Sequence, residues 1–186
     1  MIGSIVPRPI ALVSSISKNG IRNLAPFSFF NGVCSNPPTI LFSTVTRRDG
    51  VEKDTLSNVE ATKEFVVNMV TEQLVEQMNR SSGDYPPDVD EFAESHLTPV
   101  PCELVSPARV LESPINMECK LTQIVRIGSG AGGGAVVIGE ILLFHIADEL
   151  FDNYRIDPDK LHPIGRMGGP SYIRTNNRFE LVRPKV

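Results

Sequence analysis

The chain has 186 residues and a formal net charge of −4 at pH 7, with hydrophobic residues at 41% and charged residues at 22%. That length fits one domain over residues 1–186 with a substantial core. Scattered Lys and Arg in an acidic chain exclude a broad nucleic-acid-binding face, which needs clustered positive charge. No apolar run approaches the roughly 20 residues that span a bilayer, and residues 1–8 lack the basic and apolar regions of a signal peptide. Cys34, Cys102 and Cys119 are too few and too widely spaced for a disulfide framework, so reduced thiols in a cytoplasmic protein are expected.

Pro and Gly, 15 and 14 in number, fall between short apolar runs, which predicts many short strands joined by turns. Residues 10–17 (IALVSSIS) predict a strand, and Asn19-Gly20 after it a hairpin turn with both residues at positive φ. Residues 22–31 then return antiparallel. Pro26 confines that strand to an edge or a bulge, because proline has no N–H for a ladder. Asn36-Pro37-Pro38 forces a turn, and residues 39–46 (TILFSTVT) are the clearest strand by composition.

Residues 54–63 have helical spacing, with Leu56, Val59 and Ala61 to pack and Asp54, Thr55 or Ser57 to cap. A buried strand over 65–70 and a helix over 71–80 follow. Residues 81–91 turn polar and predict an exposed loop. Strands are expected over 108–113, 115–127 and 135–146. The glycines between the last two match GxGxxG, but that fingerprint must open a helix, and residue 135 onward reads as strand; a flexible hairpin is expected instead. A helix-and-loop excursion over 147–160 and a last strand over 179–182 complete the chain. Strands outnumber helices and connections are short, so a mainly β, closed antiparallel barrel with peripheral helices is expected.

There is no GxSxG elbow, no HExxH and no metal-ligand spacing among His96, His145 and His162, so redox chemistry here would need an organic cofactor. Three segments stand out. Pro7-Arg8-Pro9 holds a positive charge at a stiffened strand entry, or is an ordinary surface arginine. Residues 23–28 (NLAPFS) form a strand interrupted by proline, which frees backbone groups for a flat heterocycle such as the pyrimidine edge of a flavin, or simply makes a β-bulge. Residues 42–45 lead to Lys53-Asp54-Thr55, where hydroxyls, a lysine and a helix start could hold a phosphate; Asp54 would repel it and is better suited to capping. The plainer reading is a capped helix with a solvated lysine.

The order of these segments, PRPIALVSS, NLAPFSFF, SNPPTILFS, Lys53-Asp54-Thr55, Asn58 and EFVVNMV, resembles the flavin reductase-like family, in its flavoredoxin-like branch. The likeness continues through Asp90-Glu91-Phe92, Pro107 with Val110, Glu112-Ser113-Pro114, Glu118-Cys119-Lys120, Ile138-Gly139-Glu140, Arg166-Met167-Gly168-Gly169 and Tyr172. It implies a Greek-key FMN-binding split barrel, a homodimer with non-covalent FMN near the subunit interface. NADH or NADPH would be the electron donor, and a partner protein would accept electrons. The alternative within the resemblance is an FMN electron carrier without its own NAD(P)H site; fold alone also leaves open a barrel for another ligand. The resemblance implies that Asn23, Leu24, Ala25, Pro26, Phe27 and Ser28 line the isoalloxazine and that Ser43, Thr44 and Val45 reach the ribityl and phosphate. Lys53 and Thr55, flanking Asp54, would contact the phosphate with Arg8 nearby, and Arg166 and Tyr172 would close the site from this subunit or its partner. Family members commonly carry a further segment ahead of the first motif.

Overall fold

A computed structural model describes residues 1–185. In chain order the barrel strands are β1 (Ala11–Ile16), β2 (Arg22–Phe27), β3 (Phe30–Ser35), β4 (Pro38–Val45), and β5 (Glu64–Met69) after helix α1 (Asp54–Thr62). Helices α2 (Val75–Arg80) and α3 (Glu91–Ser95) and the two-residue strands β6 (Pro99–Val100) and β7 (Arg109–Val110) lead to the long pair β8 (Ile115–Ile127) and β9 (Gly134–Ile146). The end of the chain forms β10 (Phe151–Asp152), β11 (Arg155–Ile156), α4 (Pro158–Leu161), β12 (Ile164–Arg166) and β13 (Tyr172–Arg174).

The large sheet runs β2-β1-β5-β8-β9-β4-β3, antiparallel throughout. Its two outer strands, β2 and β3, are therefore consecutive in the chain and joined only by Ser28 and Phe29. Laid flat, seven strands at about 4.8 Å spacing would set them roughly 29 Å apart. The three Cα steps of that link reach about 11 Å. The sheet must roll until its edges approach, and the Ser43 N–H donates to the Phe29 carbonyl at 2.8 Å, carrying the β3–β4 ladder up to the link. This is the expected mainly β split barrel with peripheral helices.

Strand alternation fills the barrel. Phe42 sits at the centre, 5.0 Å from the Phe27 ring and 5.4 Å from Phe65 by centroid, and all three are buried. Ala135, Val137 and Ile141 of β9 point the same way. Gly139 keeps that alternation by omission: a Cβ there would come within 2.4 Å of the Phe65 ring.

Several expectations need correction. Residues 22–31 are not one strand; the chain leaves β2 at Phe27 and crosses the seam to begin β3 beside β4. Pro26 does lie on an edge strand, paired only with Leu12 of β1. In the first turn only Gly20 adopts positive φ, because the hairpin closes from Ser17 to Ile21 over three residues rather than two. The N-cap of α1 is Lys53, with Asp54 already inside the first turn, so Asp54 is not the cap. The 81–91 loop has buried ends, Ser81 and Glu91, around an exposed middle. Of residues 108–113 only Arg109–Val110 pair as strand, and 179–182 form none, since no neighbouring strand lies there to pair with.

Candidate functional site

The edge of β2 is where backbone remains available. Residues of an antiparallel strand alternate in which side their N–H and C=O face. The Leu24 N–H donates outward to Glu91 Oε2 at 3.2 Å, so the carbonyls of Leu24 and, two residues on, Pro26 face outward as well. Pro26 brings no N–H of its own. The outer edge beside Ala25 is therefore rich in acceptors.

Along this edge lies a small cleft of about 60 Å³. Asn23, Ala25, Pro26 and Phe27 form one side, Lys53, Asp54 and Thr55 a second, Ser81, Ser82 and Gly83 a third, with Arg47 and Glu91 completing it. Helix α1 enters without a side-chain cap. The Leu56 and Ser57 N–H groups fold onto the Lys53 carbonyl, which leaves those of Asp54 and Thr55 without intrahelical acceptors. Lys53 Nζ lies 2.8 Å from Asp84 Oδ1 and Arg47 Nε 3.4 Å from the same oxygen, while Arg47 also reaches Asp54 at 3.3 Å. The hydrogen bond and charge of Lys53, with Arg47 behind it, hold the Asp84 carboxyl below the usual carboxylate range.

Buried hydrogen bonds fix this cleft. Asn23 Oδ1 accepts from Thr55 Oγ1 at 2.7 Å and from Ser15 Oγ at 3.0 Å, and Asn23 Nδ2 donates to Glu91 Oε1 at 2.7 Å. Asn23 and Thr55 are both buried. Their side chains thus brace the wall, and what Thr55 offers outward is its backbone N–H.

A second cluster forms past the end of β2. Arg8 is buried and donates to Ser28 Oγ at 3.2 Å and to the carbonyls of Ile2, Ile5 and Met167 at 2.8, 2.6 and 3.1 Å. Its backbone bridges Arg166 in both directions, and the Arg166 guanidinium stacks 4.4 Å from the Tyr172 ring centroid. The structure therefore separates the sequence candidates into two groups. Asn23, Ala25, Pro26, Phe27, Lys53, Asp54 and Thr55 surround the cleft, while Arg8, Ser28, Arg166 and Tyr172 gather beyond Phe27 and do not line it. Leu24 is buried in the core, with only its backbone on the edge. Ser43, Thr44 and Val45 lie on β4, paired with β9, and do not line the cleft; Arg47, two residues further on, does.

The sequence profile of the flavin reductase like domain matches residues 2–164. The chain belongs to the flavin reductase-like family. The crystal structure of nitrilotriacetate monooxygenase component B from Bacillus cereus superposes with a TM-score of 0.92 at 38% identity, over 97% of this chain and 90% of that one. Pseudomonas fluorescens 2-nitrobenzoate 2-nitroreductase NbaA gives 0.89 at 35%, over 98% and 88%. Flavoredoxin of Desulfovibrio vulgaris gives 0.79 at 23%, over 95% and 91%, which shows a shared fold.

Within this flavin reductase-like chain, Arg47, Ser81–Gly83, Asp84 and Glu91 escaped the sequence reading as site residues. Arg47 sits in a polar turn that reads as solvated surface. Glu91 carried one signal, its place in the Asp90-Glu91-Phe92 motif, and burial gives that motif its meaning.

Proposed function

We propose that the chain binds one FMN along the β2 edge and acts as an FMN-dependent oxidoreductase with NADH or NADPH as electron donor. The carrying observation is the cleft itself: an anion-sized space with two cations and free helix N–H groups, set along a strand edge that presents carbonyls. Its volume of about 60 Å³ leaves room for several waters, each of which needs about 10–15 Å³ by that measure, and so for a phosphate. Lys53, Arg47 and the Asp54 and Thr55 N–H groups would hold the phosphate oxygens. The Leu24 and Pro26 carbonyls would accept from the ring N–H, and Ser28, pinned by Arg8, would mark the far end. When bound, FMN supplies the redox chemistry that no side chain here provides.

Small-molecule sites generally enclose about 300 Å³ or more, which exceeds what this cleft encloses by itself. We infer that a second copy completes it, as a homodimer. The surface favouring this is β3, exposed over Asn31–Ser35, with Val33 standing 51% exposed on it. The named activities of two relatives, a monooxygenase component and a nitroreductase, support passage of electrons to a partner protein or a small acceptor.

A second reading, an FMN carrier with no nicotinamide site, is favoured by one observation: residues 128–133 form only the tip joining β8 to β9, not a dinucleotide loop. Anaerobic mixing of FMN-loaded protein with NADH or NADPH decides between them. Bleaching of the flavin absorbance is expected. Failure with both donors would favour the carrier, and failure to take up FMN at all would sink both readings.

A further inference from the structure

A cavity of about 870 Å³ opens where β8 begins and β9 ends, and it shares no residue with the cleft or with the Arg8–Tyr172 cluster. Its wall includes Arg109, Leu111, Asn116, Phe144 and His145.

Most charged groups around this cavity already have partners. Glu112 accepts the Thr98 N–H at both oxygens, Asp159 pairs with Arg178, and Lys160 donates to the Glu149 carbonyl. Glu149 itself stands exposed at the rim. Arg109 is different. Its Nε is buried with no hydrogen-bond partner, and its guanidinium enters no ion pair among the described residues. The Nε is closed off from the cavity, but a guanidinium that lines a large open space without an ion-pair partner favours an anion there.

The cavity also defines what the anion is attached to. Leu111 and Phe144 stand 56% and 47% exposed on the same wall, an apolar surface that water covers poorly. His145 is held in one orientation: Nε2 lies 2.6 Å from Glu118 Oε1, and Glu118 is fully buried. Burial works against ionisation of Glu118, but the Glu103 N–H, the His145 ring and the Leu104 N–H outweigh it and hold the carboxyl below its ordinary value. As an ionised acceptor Glu118 must receive a proton from Nε2, which leaves Nδ1 as the remaining polar atom of His145.

We propose that this cavity is a second ligand site, for a small monoanionic organic acid. The carboxylate pairs with the planar fork of Arg109, and a flat apolar body lies against Leu111 and Phe144. The acidic rim at Glu112 and Glu149 disfavours a doubly charged phosphate, which separates this site from the flavin cleft by charge as well as by place. The inference stands independently of the flavin reading.

Calorimetric titration of the purified chain with 2-naphthoate tests it, with 2-naphthamide as the uncharged isostere and FMN as competitor. Naphthoate is expected to bind, naphthamide about tenfold or more weaker, and Arg109→Gln to lose about tenfold or more of the naphthoate affinity while melting like the native chain. Leu111→Asp, at an exposed position, is expected to weaken both probes. No binding by the native chain, equal binding by Arg109→Gln, or displacement of naphthoate by FMN would each overturn the proposal.

Discussion

Glu91 and Glu118 are both buried carboxylates that fasten a loop to the barrel, yet their acidities shift in opposite directions. Glu91, beside the cleft, accepts from the Asn23 amide and the Leu24 N–H, and burial with Asp54 nearby lifts it above the usual range. Glu118, beside the large cavity, is more deeply buried but accepts from three donors, the Glu103 and Leu104 N–H groups at 2.9 and 2.7 Å and the His145 ring, and is lowered. Burial alone therefore does not set the sign. Both carboxyls accept several hydrogen bonds; what differs is the nearest titratable neighbour, Asp54 raising Glu91 and His145 lowering Glu118. The cavity end of the barrel is built to keep a charge. The cleft end holds one under strain.

The largest expected effect breaks the cavity side of this contrast. Glu118→Gln places an amide N–H₂ where three donors converge, and should cost about 3 kcal/mol of unfolding free energy at pH 7, read from urea midpoints. The sign of the pH dependence follows from the lowered acidity. The Glu118 contribution is complete above its ordinary value of 4.5 and fades as pH falls through the lower folded value. The variant should lose that part of the acid slope; an unchanged slope would mean that Glu118 is not ionised in the folded chain.

Next in size is the cleft itself. Arg47→Ala with Lys53→Ala should weaken FMN about 30- to 100-fold, or roughly 2–2.7 kcal/mol, as two partly exposed charged contacts would. Riboflavin, which lacks the phosphate, should bind both forms alike. Equal loss for both ligands would show that the cations shape the wall rather than read the phosphate. Glu91→Gln comes third, at about 1–2 kcal/mol of stability. It should cost less than Glu118→Gln, because burial and Asp54 already disfavour its charge. Its FMN affinity should fall as Asn23 and Leu24 lose their brace. A loss larger than at Glu118 would reverse the comparison.

Most of the barrel was legible because its strands carry alternation and turn chemistry: β8 and β9 appear almost residue for residue as apolar runs bounded by proline and glycine. The seam was not, since nothing local marks Ser28-Phe29 as the link between opposite edges; that follows only from pairing of distant strands. The same limit explains the site. Lys53 and Thr55 announce themselves as a helix start, whereas Arg47 and Asp84 matter only because the fold brings a polar turn and a loop to the same 60 Å³ space. Asn23 carries a polar side chain that reads as a ligand contact, but burial turns it inward onto Thr55, Ser15 and Glu91.

The smallest effect tests the cleft most finely. Asp84 is 74% exposed in its side chain and sits on a loop without regular structure, yet its carboxylate bridges both cations that the phosphate would need. An exposed ion pair is worth little to folding, so Asp84→Asn should leave stability within about 0.5 kcal/mol. Its effect belongs to binding. With the carboxylate gone, Lys53 and Arg47 need not surrender a partner when a phosphate arrives, and FMN should bind about threefold more tightly, with no change for riboflavin. Added salt should shrink the difference, because screening weakens the competing carboxylate and the phosphate together. A weaker FMN complex in Asp84→Asn would mean that the loop organises the cations rather than competing for them, and the strained end of the barrel would then be Glu91 alone.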